Sequence, residues 1–170
     1  MTAKERREAI SRLLAQTDAP VSATALAREL GVSRQIIVGD IALLRAGGTD
    51  IASTPRGYLL PRTPVGVSAT LVCRHAPADL ERELTLIVDN GCTCVDVGVE
   101  HPVYGQLSGQ LQISSRYDVA DFLRRVARED AKPLSVLTGG LHLHRVQAPD
   151  QAALDRVRTA LDRAGFLVKE

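Results

Sequence analysis

The chain has 170 residues, 45% of them hydrophobic and 24% charged, which is typical of a soluble globular protein made of one ordinary domain or two small ones. No apolar run is long enough to span a bilayer and no signal-peptide pattern is present, so we expect a cytoplasmic protein without a membrane partner. The formal net charge of +1 divides into +3 over residues 1–62 and −2 over residues 63–170. The chain has three cysteines, and this odd number argues against a disulfide framework.

Polar caps and one glycine divide the first 62 residues into three predicted helices. Thr2 begins the first helix, and Ser22 caps a second helix that ends at Gly31, where a left-handed conformation costs little free energy. Ser33 caps a third helix, which runs from residue 34 to about residue 44. Because the Gly31 corner lets the second and third helices cross at a large angle, the spacing predicts a helix-turn-helix.

A predicted hairpin follows the third helix, and both present groups that bind DNA. Residues 51–53 and 58–60 favour two short strands around a turn that carries Arg56, in the place of the wing of a winged helix. In the major groove, an arginine can bind guanine edges and a glutamine can bind adenine edges. The predicted DNA contacts are Ser33, Arg34, Gln35, Val38 and Arg56, and Asp40 is also expected to point outward. The alternative is a three-helix protein-interaction module without a DNA contact.

The segment Pro61–Pro64 predicts a short stiff linker, so we expect two domains, over residues 1–62 and 63–170. Strands and helices alternate in the second domain, which is typical of an α+β fold whose mixed or antiparallel sheet carries helices on one face. The predicted strands are 67–73, 93–99, 105–113, one through His142 and His144, and an edge strand at 166–168. The predicted helices are 79–88, 118–129 and 150–163.

Three histidines and one glutamate form a candidate metal site in the second domain. Residues i and i+2 of a strand point to the same face, so His142 and His144 present two imidazoles side by side. His75 ends the first strand of this domain, and Glu83 lies in the helix that follows, where its carboxylate can meet a strand-end imidazole. Three imidazoles and one carboxylate suit zinc, nickel or ferrous iron rather than magnesium or calcium. The alternative is a pair of exposed or hydrogen-bonded strand histidines.

Five other residues of the second domain carry groups that could bind a metal, act as a general base or line a ligand pocket. Cys92 and Cys94 form a Cys-x-Cys pair that is a rival pair of ligands, although buried cysteines more often act as small apolar residues. Glu81 is predicted to be a solvated charge on another face of its helix, and Glu100 is the best candidate for the general base of a metal-dependent hydrolase. His101 lies in a tight turn, either as a hydrogen-bonded corner residue or as the wall of a ligand pocket.

The histidine-containing segments resemble a known family. His75 with Glu83, the segment 99–105 (VEHPVYG) and the segment 137–144 (LTGGLHLH) are similar to the 3H domain, which is named for its histidines. The helix-turn-helix is similar, over about residues 4–60, to the winged-helix domain of the biotin-ligase and repressor type. Joined in one chain, the two parts resemble the niacin-responsive transcriptional repressors of bacterial NAD biosynthesis.

This resemblance implies a metal-dependent repressor that forms a homodimer, binds operator DNA and senses nicotinate or a related pyridine carboxylate as co-repressor, controlling genes of NAD biosynthesis or niacin uptake. It implies a nickel or zinc ion held by His75, Glu83, His142 and His144. The candidate contacts of the organic ligand are His101, Tyr104 and Arg145. The chain departs from the family pattern at Cys92–Cys94 and at Arg145, where a small hydroxyl residue is expected.

A regulator is therefore expected rather than an enzyme, and two alternatives stay open. One is a sensor of the metal alone, which binds DNA without an organic ligand. The other, less favoured, is a metal-dependent hydrolase, whose substrate would find little room beside four protein ligands. A biotin-type ligase is excluded, because the chain is short and Gly139–Gly140 is too little for an adenylate-binding loop.

Overall fold

The computed structural model describes residues 1–62 and 65–169, and the chain divides into two compact units between residues 63 and 64. Residues 63 and 64 of the predicted linker lie outside the described residues. Each unit has its own cluster of buried apolar side chains. Within the part of the chain that the structure describes, no helix is both long and apolar enough to cross a membrane.

The first unit contains the predicted helix-turn-helix and hairpin. Its elements are α1 (Ala3–Ala15), α2 (Ala23–Leu30), α3 (Arg34–Ala46), β1 (Ala52–Thr54) and β2 (Gly57–Leu59), with the two strands antiparallel. Its fully buried core includes Ile10, Leu14, Leu26, Ile37 and Ile41. The three helices thus pack their apolar stripes together, and the hairpin follows α3 as a wing.

Local capping chemistry determines where the helices of this unit begin and end. The hydroxyls of Ser22 and Ser33 each accept a hydrogen bond from the backbone N–H three residues later, at 3.1 and 3.3 Å. Gly31 closes α2 in a left-handed conformation, with φ of +65°. The wing approaches the start of α2 so closely that a Cβ on Gly57 would lie 2.3 Å from the carbonyl oxygen of Val21. Only glycine fits at that position.

Asp40 does not point outward, and that expectation is wrong. Its side chain is only 4% exposed, and its carboxylate accepts hydrogen bonds from the guanidinium of Arg6 at 2.5 and 3.3 Å. Arg7 lies 3.5 Å from the same carboxylate. Because Asp40 lies on the face of α3 that packs against α1, it ties these two helices together instead of facing DNA.

The second unit is an α+β domain with an antiparallel sheet, as the fold prediction requires. Its strands are β3 (Val67–Arg74), β4 (Thr93–His101), β5 (Gly105–Ile113) and β6 (Leu141–Ala148), in the order β3-β6-β4-β5. Its helices are α4 (Leu80–Asp89), α5 (Arg116–Arg128) and α6 (Gln151–Arg163). Every strand pair is antiparallel, so the sheet is not mixed.

The two faces of this sheet differ in what covers them. One face packs against α4, α5 and α6 and forms the apolar core, which includes Leu84, Ile87, Ile113, Val157 and Leu161. The other face carries polar side chains around a hollow of about 360 Å³. Two short 3-10 helices, Pro77–Asp79 and Leu134–Thr138, lead into α4 and β6. The expected edge strand at 166–168 is reduced to one bridge, in which Leu167 pairs with Cys73 of β3.

Candidate metal centre

The structure brings His75, Glu83, His142 and His144 together. The Nε2 atom of His75 lies 2.7 Å from a carboxylate oxygen of Glu83, and the Nε2 atoms of His142 and His144 lie 3.0 and 3.2 Å from the same carboxylate. Glu83 faces the sheet from α4, the two later histidines lie on β6, and His75 follows β3. All four side chains are buried, with exposed fractions between 0 and 2%.

Each of the three imidazoles is oriented by a backbone carbonyl. The Nδ1 atoms of His75, His142 and His144 lie 2.8, 2.8 and 2.7 Å from the carbonyl oxygens of residues 76, 140 and 96, respectively. A carbonyl only accepts, so each Nδ1 donates its hydrogen outward. Each imidazole therefore directs Nε2 at Glu83, where that nitrogen can donate a hydrogen to the carboxylate or offer its lone pair to a metal ion. Outward donation of this kind is what orients imidazoles for metal binding.

The electrostatics of the cluster require a positive charge between these groups. Burial raises the pKa of Glu83, but the hydrogen bonds from His142, His144 and His75 lower it more, and the net result is a pKa well below the ordinary value. Burial lowers the pKa of His144, but the neighbouring Cys94 and Glu83 raise it well above its ordinary value. Both pKa shifts have the same cause. Three nitrogen lone pairs and a carboxylate repel each other unless protons or a metal cation lie between them.

The donor set fits a divalent transition metal. Three imidazole nitrogens and a carboxylate oxygen are intermediate donors that suit zinc, nickel or ferrous iron, whereas calcium and magnesium prefer oxygen donors alone. Among the described residues, Glu83 has no ion pair with lysine or arginine. A cation at this position would therefore replace the repulsion by four favourable contacts.

A double glycine places the first histidine of β6 against the residue that follows β3. Gly139 and Gly140 both adopt positive φ, at +62° and +95°. A Cβ on Gly140 would lie 2.5 Å from the carbonyl oxygen of His75, whereas a Cβ on Gly139 would meet no atom within 4 Å. Gly140 is thus the position where the backbone must approach the candidate ligands closely, and its own carbonyl accepts the hydrogen of His142 Nδ1.

The other candidate groups for metal chemistry lie away from the Nε2 atoms. The sulfur of Cys92 contacts the carbonyls of Asn90 and Ala153, and the sulfur of Cys94 lies 3.2 Å from Nδ1 of His144, on the far side of that ring. Glu81 is exposed on α4. Glu100 is exposed, next to the buried Val99 of β4, so it faces the opposite side of the sheet from His142 and His144.

The three candidate contacts of an organic ligand lie at two separate locations in the second unit. His101 and Tyr104 stand at the turn between β4 and β5, where Nδ1 of His101 accepts from the backbone N–H of Tyr104 at 3.2 Å and the two rings lie 5.0 Å apart. Arg145 lies on the open face of the sheet, opposite to His142 and His144. It forms an ion pair of 2.9 Å with Asp96 in the polar hollow.

One buried residue of the cluster was missed in the sequence analysis. The sulfur of Cys73, the nearest carboxylate oxygen of Glu83 and the nearest ring nitrogen of His142 all lie within 4.8 Å of one another. Burial raises the pKa of the Cys73 thiol above its ordinary value, and the charge of Glu83 raises it further. The spacing Cys73-x-His75 was the available signal, because it repeats the i, i+2 pattern of His142 and His144.

The candidate DNA contacts of the first unit lie at the start of α3 and on the wing. Ser33, Arg34 and Gln35 are exposed, and Val38 is half-buried. Arg56 lies in the turn between β1 and β2, where its backbone N–H donates to the hydroxyl of Thr54. The N-terminal turn of α3 therefore offers its side chains to solvent, as a recognition helix must.

Comparison with known proteins assigns a family model to each of the two units. The HTH domain model matches residues 6–59, and the 3H domain model matches residues 68–170. A probable transcription repressor of Thermotoga maritima, NiaR, is 44% identical over 167 residues, which cover 98% of this chain and 95% of that protein. The transcription repressor NadR of Bacillus subtilis is 38% identical over 169 residues, covering 97% and 94% of the two chains. The chain thus belongs to the NiaR and NadR family of transcription repressors, with an HTH domain and a 3H domain, and not to a family of enzymes.

Proposed function

We propose that this repressor binds a nickel or zinc ion and uses nicotinate, or a related pyridine carboxylate, as co-repressor at operators of NAD biosynthesis or niacin uptake genes. The proposed metal ligands are His75, Glu83, His142 and His144. The proposed protein is a cytoplasmic homodimer in which residues 1–62 read DNA and residues 63–170 sense the ligands.

The observation that carries this proposal is the orientation of the three imidazoles. Each of them donates its Nδ1 hydrogen to a backbone carbonyl and directs Nε2 to the buried Glu83 carboxylate. Strand histidines that only form hydrogen bonds with their neighbours would not need to direct three Nε2 atoms at one carboxylate. When bound, the ion supplies the missing positive charge and connects α4 to β6 and to the end of β3.

DNA binding is proposed to use the start of α3 and the wing. Arg34 and Gln35 would contact base edges in the major groove, beside Val38, while Ser33 and Arg56 would contact the backbone. In a homodimer, two such helices would reach half-sites about 34 Å apart, one turn of the double helix. A ligand favours this arrangement only by binding the DNA-competent form more tightly than the other forms.

The organic ligand is proposed to bind through the turn that carries His101 and Tyr104, or through Arg145. Because Arg145 is already paired with Asp96 on the open face, a pyridine carboxylate would have to compete with Asp96 for the guanidinium. His101 and Tyr104 lie at the end of β4, whose Val99 is buried on the same face as the candidate metal ligands.

Operator binding with and without nicotinate tests this proposal. The metal-loaded protein first selects its operator from a random pool of duplex DNA, and fluorescence anisotropy then measures the dissociation constant. We expect nicotinate to tighten binding by about 10-fold, in the usual range of allosteric coupling. Nicotinamide, which lacks the carboxylate, serves as the matched control. Unchanged or weaker binding with nicotinate would refute the co-repressor role.

A sensor of the metal alone is the second candidate, and the burial of the site favours it. Glu83 is 0% exposed, so the cluster is open to a bare ion more readily than to a ring-sized ligand. The discriminating measurement is operator affinity during titration with nickel or zinc in the absence of any pyridine carboxylate. Full operator affinity from the metal alone would support this candidate.

A further inference from the structure

We propose that Cys73 is a fifth ligand of the metal centre, so that the chain offers the ion a sulfur donor in addition to three nitrogens and one oxygen. This inference rests on the proposed metal binding and extends it to the choice of metal. The observation behind it is that Cys73 lies within the donor cluster of Glu83 and His142 and not merely near it.

The sheet register places Cys73 beside the histidines. Cys73 of β3 pairs directly with His142 of β6, and Leu71 pairs with His144, so the thiol and the imidazoles share the face that packs against the helices. Cys73 is 0% exposed. Its sulfur lies within 4.8 Å of both a carboxylate oxygen of Glu83 and a ring nitrogen of His142. With a metal–sulfur bond of about 2.3 Å and a metal–nitrogen bond of about 2.0–2.1 Å, two donors of one ion are at most about 4.4 Å apart. These three donors therefore need to approach one another by only a few tenths of an ångström to share one ion.

The charge of the site gives an independent reason for a thiolate. Three neutral imidazoles and the Glu83 carboxylate give a divalent ion a total charge of +1 in a fully buried place. An uncompensated buried charge is costly, and the four proposed ligands leave this one positive charge uncompensated. When Cys73 ligates, the S–H bond is replaced by a bond to the ion, the proton leaves to solvent, and the total charge becomes zero.

The other two cysteines do not fill this role. The sulfur of Cys94 lies at Nδ1 of His144, which is the nitrogen turned away from Glu83. The sulfur of Cys92 contacts the carbonyls of Asn90 and Ala153. Cys92 is buried like Cys73, on the same side of the sheet, and so it provides a matched control.

A sulfur ligand changes which ions the centre selects. Thiolate favours zinc, nickel and cobalt over the harder ions manganese and magnesium. The centre should therefore discriminate against magnesium, the commonest divalent ion in cells. We expect Cys73→Ser to weaken nickel or zinc binding by about 10-fold or more, since even partners outside the ligand set change metal affinity by 10-fold to 100-fold.

Spectroscopy of the full chain tests the inference. Loaded with Co²⁺, the unmodified protein and Cys92→Ser should show a near-ultraviolet charge-transfer band from thiolate to metal, and Cys73→Ser should bind Co²⁺ without it. X-ray absorption of the unmodified zinc-loaded protein should show one sulfur neighbour at about 2.3 Å, and this measurement needs no variant to fold.

The outcomes separate the two proposals. A metal that binds with nitrogen and oxygen neighbours only would overturn the role of Cys73 and leave the proposed function intact. A band that persists in Cys73→Ser would assign the sulfur to another cysteine and would also overturn it. Failure of the unmodified protein to bind zinc, nickel or cobalt would contradict the proposed function itself, and the role of Cys73 with it.

Discussion

Asp40 in the first unit and Glu83 in the second are both buried carboxylates, and the two units compensate them differently. Asp40 is paired with the guanidinium groups of Arg6 and Arg7, so the first unit supplies its own cations. Glu83 faces three imidazoles whose Nδ1 hydrogens are donated to backbone carbonyls, so these rings offer it a positive charge only when Nε2 is also protonated. A buried carboxylate needs a positive partner in either case.

The first unit thus pairs its buried carboxylate with cations of the chain itself, whereas the second unit is proposed to pair Glu83 with a bound metal ion. The ionic contact between α1 and α3 is formed by side chains of the chain itself and therefore needs no ligand. In the second unit, we propose that a bound metal ion supplies the positive charge. Dependence of stability on the metal is therefore expected in the second unit alone.

The largest effect is expected from Glu83→Gln, which keeps the shape of the side chain and removes its charge. The variant should lose the stabilisation that metal gives, about 3–4 kcal/mol when the free metal exceeds its dissociation constant 100-fold to 1,000-fold. Thermal unfolding followed by circular dichroism, with and without zinc, measures this difference. Glu81→Gln, which changes an exposed glutamate of the same helix, should keep the full stabilisation. Equal responses of the two variants would be inconsistent with a central role of Glu83.

The next effect is expected at the double glycine. Gly139→Ala and Gly140→Ala both place a side chain at positive φ, which costs about 1–2 kcal/mol of folding free energy. Only the second variant brings a Cβ within 2.5 Å of the His75 carbonyl oxygen, so it alone should also weaken metal binding. Isothermal titration with zinc compares the two. A loss of affinity in Gly139→Ala as large as in Gly140→Ala would mean that backbone strain, and not the contact with His75, controls the site.

A smaller effect is expected from Asp40→Asn, which weakens the ionic connection between α1 and α3. The free energy of unfolding of the first unit should fall by about 1–2 kcal/mol, since a charged acceptor is lost while the arginines can still reach solvent. Zinc affinity should stay unchanged. Asp50→Asn, an exposed position beyond α3, is the control for the loss of one negative charge. A drop in zinc affinity with Asp40→Asn would show that the two units are not independent in this respect.

The smallest effect has the opposite sign. Gly39 lies in the interior of α3, and a Cβ there would meet no atom within 4 Å. Gly39→Ala should therefore raise the free energy of unfolding by about 0.5–1 kcal/mol, because glycine loses more backbone entropy in a helix than alanine does. Chemical denaturation of the two proteins measures the change. Destabilisation by this substitution would contradict the open surroundings of Gly39.

Local signals in the sequence were sufficient for most of the elements. Ser22, Gly31 and Ser33 predict the helix-turn-helix because capping involves only neighbouring residues. The i, i+2 rule correctly placed His142 and His144 on one face, because the period of a strand is also local. The resemblance to the family supplied the ligand set, which the spacing alone left open.

Contacts between distant elements could not be predicted in this way. The position of Cys73 depends on the register between β3 and β6, which are about seventy residues apart, and no local pattern encodes that register. The orientation of Asp40 depends on where α1 lies against α3. The pairing of Arg145 with Asp96 joins β6 to β4 in the same way.

The most direct test of the central claim is an anomalous difference map from crystals of the full chain grown with nickel or zinc. We expect one strong peak at the absorption edge of the metal, within bonding distance of Nε2 of His75, His142 and His144 and of the Glu83 carboxylate. Absence of a peak among these four side chains in metal-saturated crystals would contradict the metal centre.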